Sequence, residues 1–312
     1  MSDLPPVIFL MGPTAAGKTE LALRLHDELP VEIISVDSSQ VYRGMDIGTA
    51  KPTLAEQARA PHRLIDIRDP AQSYSAAEFC ADALREIQTI HQAGKIPLLV
   101  GGTMFYFRAL EFGLSDLPSA DPEVRARLSE EAERIGWPAM HARLQAIDAE
   151  SAARIHANDA QRIQRALEIY ELTGLTLASL RVPKAEGKLP YTPVKIALWP
   201  QDRGLLHNRI QQRFHAMLAR GLVQEVELLQ QRADLTSLMP SMRTVGYRQV
   251  WEYLTNKVGF TEMCEKAITA TRQFAKRQIT WLRSYPDVHV LDNESSLFFS
   301  QYADYLKQKI RL

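Results

Sequence analysis

Gly12-Pro13-Thr14-Ala15-Ala16-Gly17-Lys18-Thr19 is a complete G-x-x-x-x-G-K-[ST] phosphate loop, and the fold reads outward from it. Val7-Ile8-Phe9-Leu10-Met11, just upstream, is a short apolar run of the kind that forms a buried strand. Glu20-Leu21-Ala22-Leu23-Arg24-Leu25, just downstream, is strong helix-forming material. Strand, glycine loop and helix in that order aim backbone N–H groups and a helix N-terminus at an anion. A polyphosphate is expected there, with Lys18 reaching its terminal phosphates and the Thr19 hydroxyl on Mg²⁺.

Further strands alternate with helices. Val31-Glu32-Ile33-Ile34-Ser35-Val36 ends at Asp37, and Ile96-Pro97-Leu98-Leu99-Val100 ends at Gly101-Gly102-Thr103, with a helix predicted from Ala76 to Ala93. This spacing predicts a parallel, doubly wound sheet, whose ligands bind beyond the carboxyl ends of its strands. From Leu117-Pro118 to Pro190 helix formers dominate and no β-branched run is long enough for a central strand. Strand character resumes at Pro193-Val194-Lys195-Ile196-Ala197-Leu198-Trp199 and again at Val288-His289-Val290-Leu291. The expected fold is therefore α/β, a P-loop NTPase-like parallel sheet domain with an inserted all-helical domain. Residues 1–117 and 191–312 would form the discontinuous core and 118–190 the insertion, with Lys184-Ala185-Glu186-Gly187-Lys188 as a flexible loop.

Bulk properties narrow the class. The 312 residues are 46% hydrophobic, enough for two units with cores of their own. Lys+Arg and Asp+Glu both number 37, so a charged partner must meet a local basic face, not a global excess. Cys80 and Cys264 lie far apart with no C-x-x-C spacing, which argues against a disulfide framework or a structural zinc site. Without a basic, apolar leader or a long uncharged apolar run, the chain is expected to be a cytoplasmic protein with no membrane partner.

Three further segments carry chemistry. Asp37-Ser38-Ser39-Gln40-Val41-Tyr42 sets a carboxylate on a strand end beside the phosphate loop. It suits a metal ligand through water or an acceptor for a nucleophile's proton, while the plainer reading is an Asp turn or helix cap. Arg209 and Arg213 share a helix face with Arg220, with Leu206, Ile210, Phe214 and Met217 on another. They suit a departing diphosphate, or else a solvated face. Thr271 to Arg283 holds four cations and no acid, with Arg272, Lys276, Arg277 and Arg283 expected on one side and Phe274, Ala275, Trp281 and Leu282 packed on the other. With Arg243-Thr244-Val245-Gly246-Tyr247-Arg248 upstream, this pattern suits a nucleic-acid backbone and an unstacked base, or a solvated helix.

The ordered set of motifs resembles the tRNA dimethylallyltransferases, also called tRNA isopentenyltransferases. The resemblance is carried by residues 12–19 and 37–42, by Asp46-Ile47-Gly48-Thr49-Ala50-Lys51-Pro52 and by Gly101-Gly102-Thr103. Asn158-Asp159-Ala160-Gln161-Arg162 and Ala275-Lys276-Arg277-Gln278-Ile279-Thr280-Trp281 complete it, so that it spans about residues 7 to 292. The bacterial form is expected, since eukaryotic relatives often append a zinc-finger tail and this sequence stops at Leu312. Met104-Phe105 stands where many members have Gly-Leu, a departure expected to touch packing and not chemistry. The resemblance implies transfer of a dimethylallyl group from its diphosphate, with Mg²⁺, to N6 of the adenosine at tRNA position 37, just 3′ of the anticodon, in tRNAs reading codons that begin with U.

It also implies roles for individual residues. Lys18, Thr19 and Arg213 would stabilise the leaving diphosphate, Asp37 would align N6 and take its proton, and Thr14 would touch the donor or that proton network. RNA contacts would come from Asp37, Ser38, Ser39 and Gln40, from Thr103 and Arg125, and from Gln161, Arg162, Ile163, Gln164 and Arg165. Met242, Arg243, Thr244, Val245, Gly246 and Tyr247 would add more, with Ala275, Lys276, Arg277, Gln278, Ile279, Thr280, Trp281 and Leu282. Insertion and sheet domain would grip a tRNA anticodon loop from two sides, around a flipped adenine, as a monomer. Three other readings fit the phosphate loop: a small-molecule or nucleoside kinase, a relative prenylating free adenine nucleotides, and an RNA-binding NTPase module. The first leaves the basic aromatic segments without a task, and the second leaves the insertion without one.

Overall fold

The computed structural model describes residues 4–115, 117–180, 189–200, 202–292 and 298–310, so the loop expected at 184–188 lies outside the described residues. The chain divides into two compact units, Met1–Glu111 with Leu189–Leu312, and Phe112–Lys188.

The first unit is built on strands β1 (Pro6–Met11), β2 (Val31–Val36), β3 (His62–Arg63), β4 (Ile96–Gly101), β5 (Thr192–Trp199) and β6 (His289–Asp292). They form one sheet in the order β3-β2-β4-β1-β5-β6, and every pairing is parallel. Its helices are α1 (Lys18–Glu28), α2 (Leu54–Arg59), α3 (Ala76–Gln92) and α4 (Met104–Phe112), the last ending on the first residue of the second unit. The second unit holds α5 (Pro122–Ile135), α6 (Trp137–Ile147), α7 (Ala149–Arg154), α8 (Ala160–Thr173) and α9 (Leu177–Leu180). After β5 the first unit resumes with α10 (Arg203–Ala219), α11 (Leu222–Gln230), α12 (Tyr247–Leu254), α13 (Phe260–Arg283) and α14 (Phe298–Ile310).

Period-two alternation explains why β1 is apolar throughout. Ile8 and Leu10 join a core with Leu21 and Leu25 of α1 and Tyr302 of α14. Val7, Phe9 and Met11 join a second core with Phe79 of α3, Phe107 of α4 and Leu282 of α13. A strand covered on both faces needs apolar residues at every position, each contributing about 1.5–3 kcal/mol when fully buried. A third core packs Val41, Tyr42 and Met45, just past β2, against Phe214, Leu222, Val226 and Tyr247. The edge strand β3, two residues long, is the one strand the sequence pattern does not show, being too short to display a period.

Local signals set the element ends. Thr53 with Glu56 and Ser75 with Glu78 form capping boxes at the starts of α2 and α3. Asp202 accepts from Gly204 N at 2.6 Å and caps the start of α10. The departure at Met104-Phe105 is accommodated simply: Met104 is buried in the second core and Phe105 is exposed.

Within the second unit, Leu128, Leu144, Ile163 and Leu167 belong to one core. Glu168 is wholly buried and accepts from Asp121 N (2.8 Å), Arg125 Nε (2.8 Å) and Arg165 Nη1 (2.6 Å). Those donors offset a desolvation cost that would otherwise be several kcal/mol. Truncating the fully buried Leu98 of β4 in the Leu98→Ala variant should destabilise the protein by about 2–5 kcal/mol in urea unfolding. A cost below about 1 kcal/mol would show that this sheet is not the closely packed centre.

Candidate active site

The phosphate loop leaves β1 at Met11 and turns into α1 through two left-handed residues, Ala15 (φ 63°) and Gly17 (φ 93°). Glycine takes that conformation without cost, whereas an alanine held there stores strain that its surroundings must offset. The surroundings are visible. Ala15 packs against Leu206 and Ile210 of α10 and Ala275 of α13. Thr14 N donates to Gln278 Oε1 at 2.8 Å, and Thr14 Oγ1 accepts from the Arg213 guanidinium. Lys18 Nζ curls back to donate to Gly12 O (2.9 Å) and Pro13 O (2.8 Å).

The loop borders a cleft of about 500 Å³. Asp37 after β2 and Gly101-Gly102 at the end of β4 line it too, so three parallel strands deliver their carboxyl ends to one opening. Arg209 and Arg213 of α10, Arg220 at its C-cap and Lys18 supply cations, together with Lys51, which is paired with Asp46 and Asp66; Asp37 and Glu56 supply its acids. Met217 and Phe274 add apolar surface. Burial pulls the Lys18 ammonium down to about 8, the nearby Arg213 charge adds to that, and Asp37 opposes both. Burial likewise lowers Arg213, again against the pull of Asp37. Crowded, desolvated cations of this kind are stabilised by an anion between them.

Asp37 divides its work between two oxygens. Oδ1 accepts from Ser39 N (2.8 Å) and Gln40 N (3.3 Å), which is the Asp turn of the plainer reading. Oδ2 makes no protein hydrogen bond among the described residues, and the side chain lines the cleft. The same carboxylate therefore closes the turn and keeps one oxygen available. Thr103 Oγ1 accepts from Ser38 N at 3.2 Å, fastening this turn to the one after β4. Gln40 is tied inward, accepting from Ser35 Oγ (3.0 Å) and donating to Ala50 O (3.3 Å). Thr19 also lines the cleft beside Lys18. Among the described residues no group of three or more His, Cys, Asp or Glu could hold a metal. A magnesium ion at Thr19 would therefore share its oxygens with a bound phosphate ligand, which is how that ion is commonly held.

The remaining expected contact residues differ in exposure. Exposed ones are Ser38, Gln161, Arg162, Arg243, Lys276, Arg277, Thr280 and Trp281. Met242, Tyr247, Ile163, Ala275, Gln278 and Leu282 are buried, so their side chains serve the fold. Tyr247 donates to Glu225 Oε1, whose carboxylate also accepts from the backbone N–H groups of Asp46, Ile47 and Gly48. Thr244, Val245 and Ile279 are half-buried, and Gly246 is buried at the N-cap of α12. Arg125 and Arg165 pair with Glu168, and Gln164 Nε2 donates to Ser129 Oγ at 2.8 Å.

The expected division of α13 into a basic side and an aromatic side is corrected. Its inward stripe is Met263, Ala267, Ala275, Gln278 and Leu282, while Phe274 and Trp281 are exposed among the cations. The Arg277 guanidinium sits 5.9 Å from the Phe274 ring centre. Phe274, Met217 and Arg220 are cleft residues that the sequence reading assigned to helix faces without placing them in a site. Helical spacing sorts such residues into faces, but it does not show which face borders a cavity.

A phosphate loop set against an acid across a cation-lined cleft, at the carboxyl edge of a parallel sheet, defines a P-loop group-transfer enzyme. Comparison with known proteins then narrows the class. The family model described as IPP transferase matches residues 40–285. The sequence is 60% identical over 290 residues to a tRNA dimethylallyltransferase of Thioalkalivibrio sulfidiphilus, covering 93% of this chain and 91% of that one. Among solved structures, a full-length tRNA isopentenylpyrophosphate transferase from Bacillus halodurans matches with a TM-score of 0.72 at 36% identity, covering 98% of this chain and 97% of that one. A eukaryotic dimethylallyltransferase acting on tRNA matches with a TM-score of 0.79 at 28% identity, covering 97% and 80%. The chain belongs to the IPP transferase family.

Because Lys18 loses its proton near pH 8, affinity for a diphosphate should hold below that pH and weaken above it. The decline should reach about tenfold per pH unit, since the neutral amine no longer attracts the anion. Titration calorimetry against pH checks this, and in Lys18→Arg, whose guanidinium stays charged, the decline should vanish.

Proposed function

We propose that this chain transfers a dimethylallyl group from dimethylallyl diphosphate to N6 of an adenosine in tRNA, with Asp37 taking the N6 proton. The observation that carries this reading is the cleft itself. Its cations can receive a leaving diphosphate while the free oxygen of Asp37 stands ready for an amine.

In atomic terms, the allylic C–O bond breaks and its electron pair leaves with the diphosphate, whose growing charge is met by the loop N–H groups, Lys18 and Arg213. The N6 lone pair forms the new C–N bond, and one N6 proton passes to Asp37. An exocyclic amine is a weak nucleophile because its lone pair is shared with the ring, so alignment and proton removal supply much of the rate. Mg²⁺, when bound, would neutralise further diphosphate charge, and Thr19 is the side chain suited to hold it. Arg213 reaches the Thr14 hydroxyl, which orients both around the donor.

The adenine must come from an unstacked, single-stranded loop, and the finer reading is the base at tRNA position 37 in tRNAs for codons beginning with U. The exposed cations of α13, interleaved with Phe274 and Trp281, fit a phosphate backbone and a splayed base. Arg162, Arg243 and their neighbours on other elements are the further RNA-facing groups we assign. Metabolite kinases and enzymes acting on free nucleotides would leave these surfaces without use. Among the described residues no helix is long and apolar enough to cross a membrane.

Incubating the protein with unmodified tRNA, labelled dimethylallyl diphosphate and Mg²⁺ should place label in the RNA, whereas label from γ-phosphate ATP should stay out of it. Phosphoryl transfer without prenyl transfer would point to a kinase instead. Asp37→Asn should lower the single-turnover rate by about 10²–10⁴-fold while donor affinity stays within about twofold. Lys276→Ala with Arg277→Ala should weaken RNA binding across sequences and reduce the slope of log K against log salt by about two contacts' worth. An unaltered slope would leave α13 as ordinary solvated surface.

A further inference from the structure

We propose that Gln278 is a positioning residue that joins the RNA-facing helix α13 to the phosphate loop, so that RNA bound on one side tightens diphosphate binding on the other. The proposal rests on the RNA-prenylating reading above.

Gln278 is 5% exposed, and both ends of its amide are used. Oε1 accepts from Thr14 N at 2.8 Å and Nε2 donates to Gly102 O at 2.8 Å. One side chain of α13 therefore bridges the turn after β1 and the turn after β4, two of the three strand ends that border the cleft. The close approach is built in, because a Cβ on Gly102 would collide with Gln278 Nε2. In a phosphate loop the backbone N–H groups ordinarily face the anion. Here the N–H of Thr14 is committed sideways to α13, so the helix sets the shape of the loop tip. A second contact acts in parallel: Ala15 packs into the small core that includes Ala275 and Ile279 of the same helix.

The neighbouring residues on α13 make this bridge responsive. Lys276 and Arg277 immediately precede Gln278 and are exposed, while Phe274 lines the cleft. RNA phosphates held by those cations would restrain α13, and through Gln278 the loop tip would be restrained before the donor arrives. A ligand meeting an already ordered loop loses less entropy on binding, which is positive coupling between the two sites.

The test measures the affinity of inorganic pyrophosphate with Mg²⁺, with and without an unmodified anticodon stem-loop, for the wild type, Gln278→Met and Gln278→Glu. RNA should lower the wild-type dissociation constant by about fivefold or more. Gln278→Met keeps the volume but loses both hydrogen bonds, and its ratio should fall to near one. Gln278→Glu keeps an acceptor for Thr14 N–H while setting a carboxylate oxygen against Gly102 O, and its ratio should fall too. It serves where the Met variant does not fold. A merely structural role would lower the melting temperature or both affinities together and leave the ratio at the wild-type value, which overturns the proposal. A wild type that prenylates RNA but shows a ratio of one overturns the coupling alone, whereas a wild type that neither binds nor prenylates RNA overturns the functional reading and the coupling with it.

Discussion

Two cations, Lys18 and Arg213, are crowded into one partly desolvated cleft with Asp37 opposing the shift of each, and the rest of the site depends on that imbalance. Burial is the larger cause of both shifts, and at Lys18 the neighbouring Arg213 charge adds to it. On the proposed reading, an incoming diphosphate would supply the counter-charge that these desolvated cations lack. On that same reading, the cations would stabilise the diphosphate once the bond has broken. Leaving-group affinity and rate enhancement would then share one cause, charge placed in advance where charge will develop.

The sheet makes that crowding possible. A parallel sheet brings the carboxyl ends of β1, β2 and β4 to one edge, and each end here delivers a different part of the chemistry. β1 supplies the anion loop and β2 the acid. The glycine turn after β4 is small enough to let Gln278 through. α10 then lays its arginines over the opening, because another of its faces, Leu206, Ile210 and Phe214, is consumed by packing. None of these parts forms the site alone. Asp37 shows the economy of the arrangement, with one oxygen closing its own turn and the other left to the cleft.

Much of this is legible in the amino-acid sequence. The phosphate loop, the apolar strands and the change to helical texture near 117 and back near 190 are local patterns, and local patterns reflect periods of two and 3.6 residues. Asp37 could be placed at a strand end next to the loop, although its two possible duties looked like rivals. Other residues misled. Phe274 and Trp281 read as inward because large aromatics usually are, yet small Ala267 and Ala275 let α13 approach its neighbours and leave the aromatics outside. Tyr247, Met242 and Gln278 lay within segments expected to meet RNA and are instead wholly or nearly buried. A motif identifies a segment, but adjacent helical residues point about 100° apart, so a segment's membership says little about any one side chain.

By itself, then, the sequence determined that this protein carries an anion-binding loop on a parallel sheet, an acid beside it and a basic aromatic helix near its C-terminus, since each is written in contiguous residues. Only the tertiary structure decided that Arg213 meets Thr14, that Gln278 bridges the turns after β1 and β4, and that Glu225 gathers the N–H groups of residues 46–48. Those contacts join residues separated by some 176 to 264 positions. No local periodicity encodes such pairings, because they arise only when strands and helices have packed and each buried polar group must find a partner.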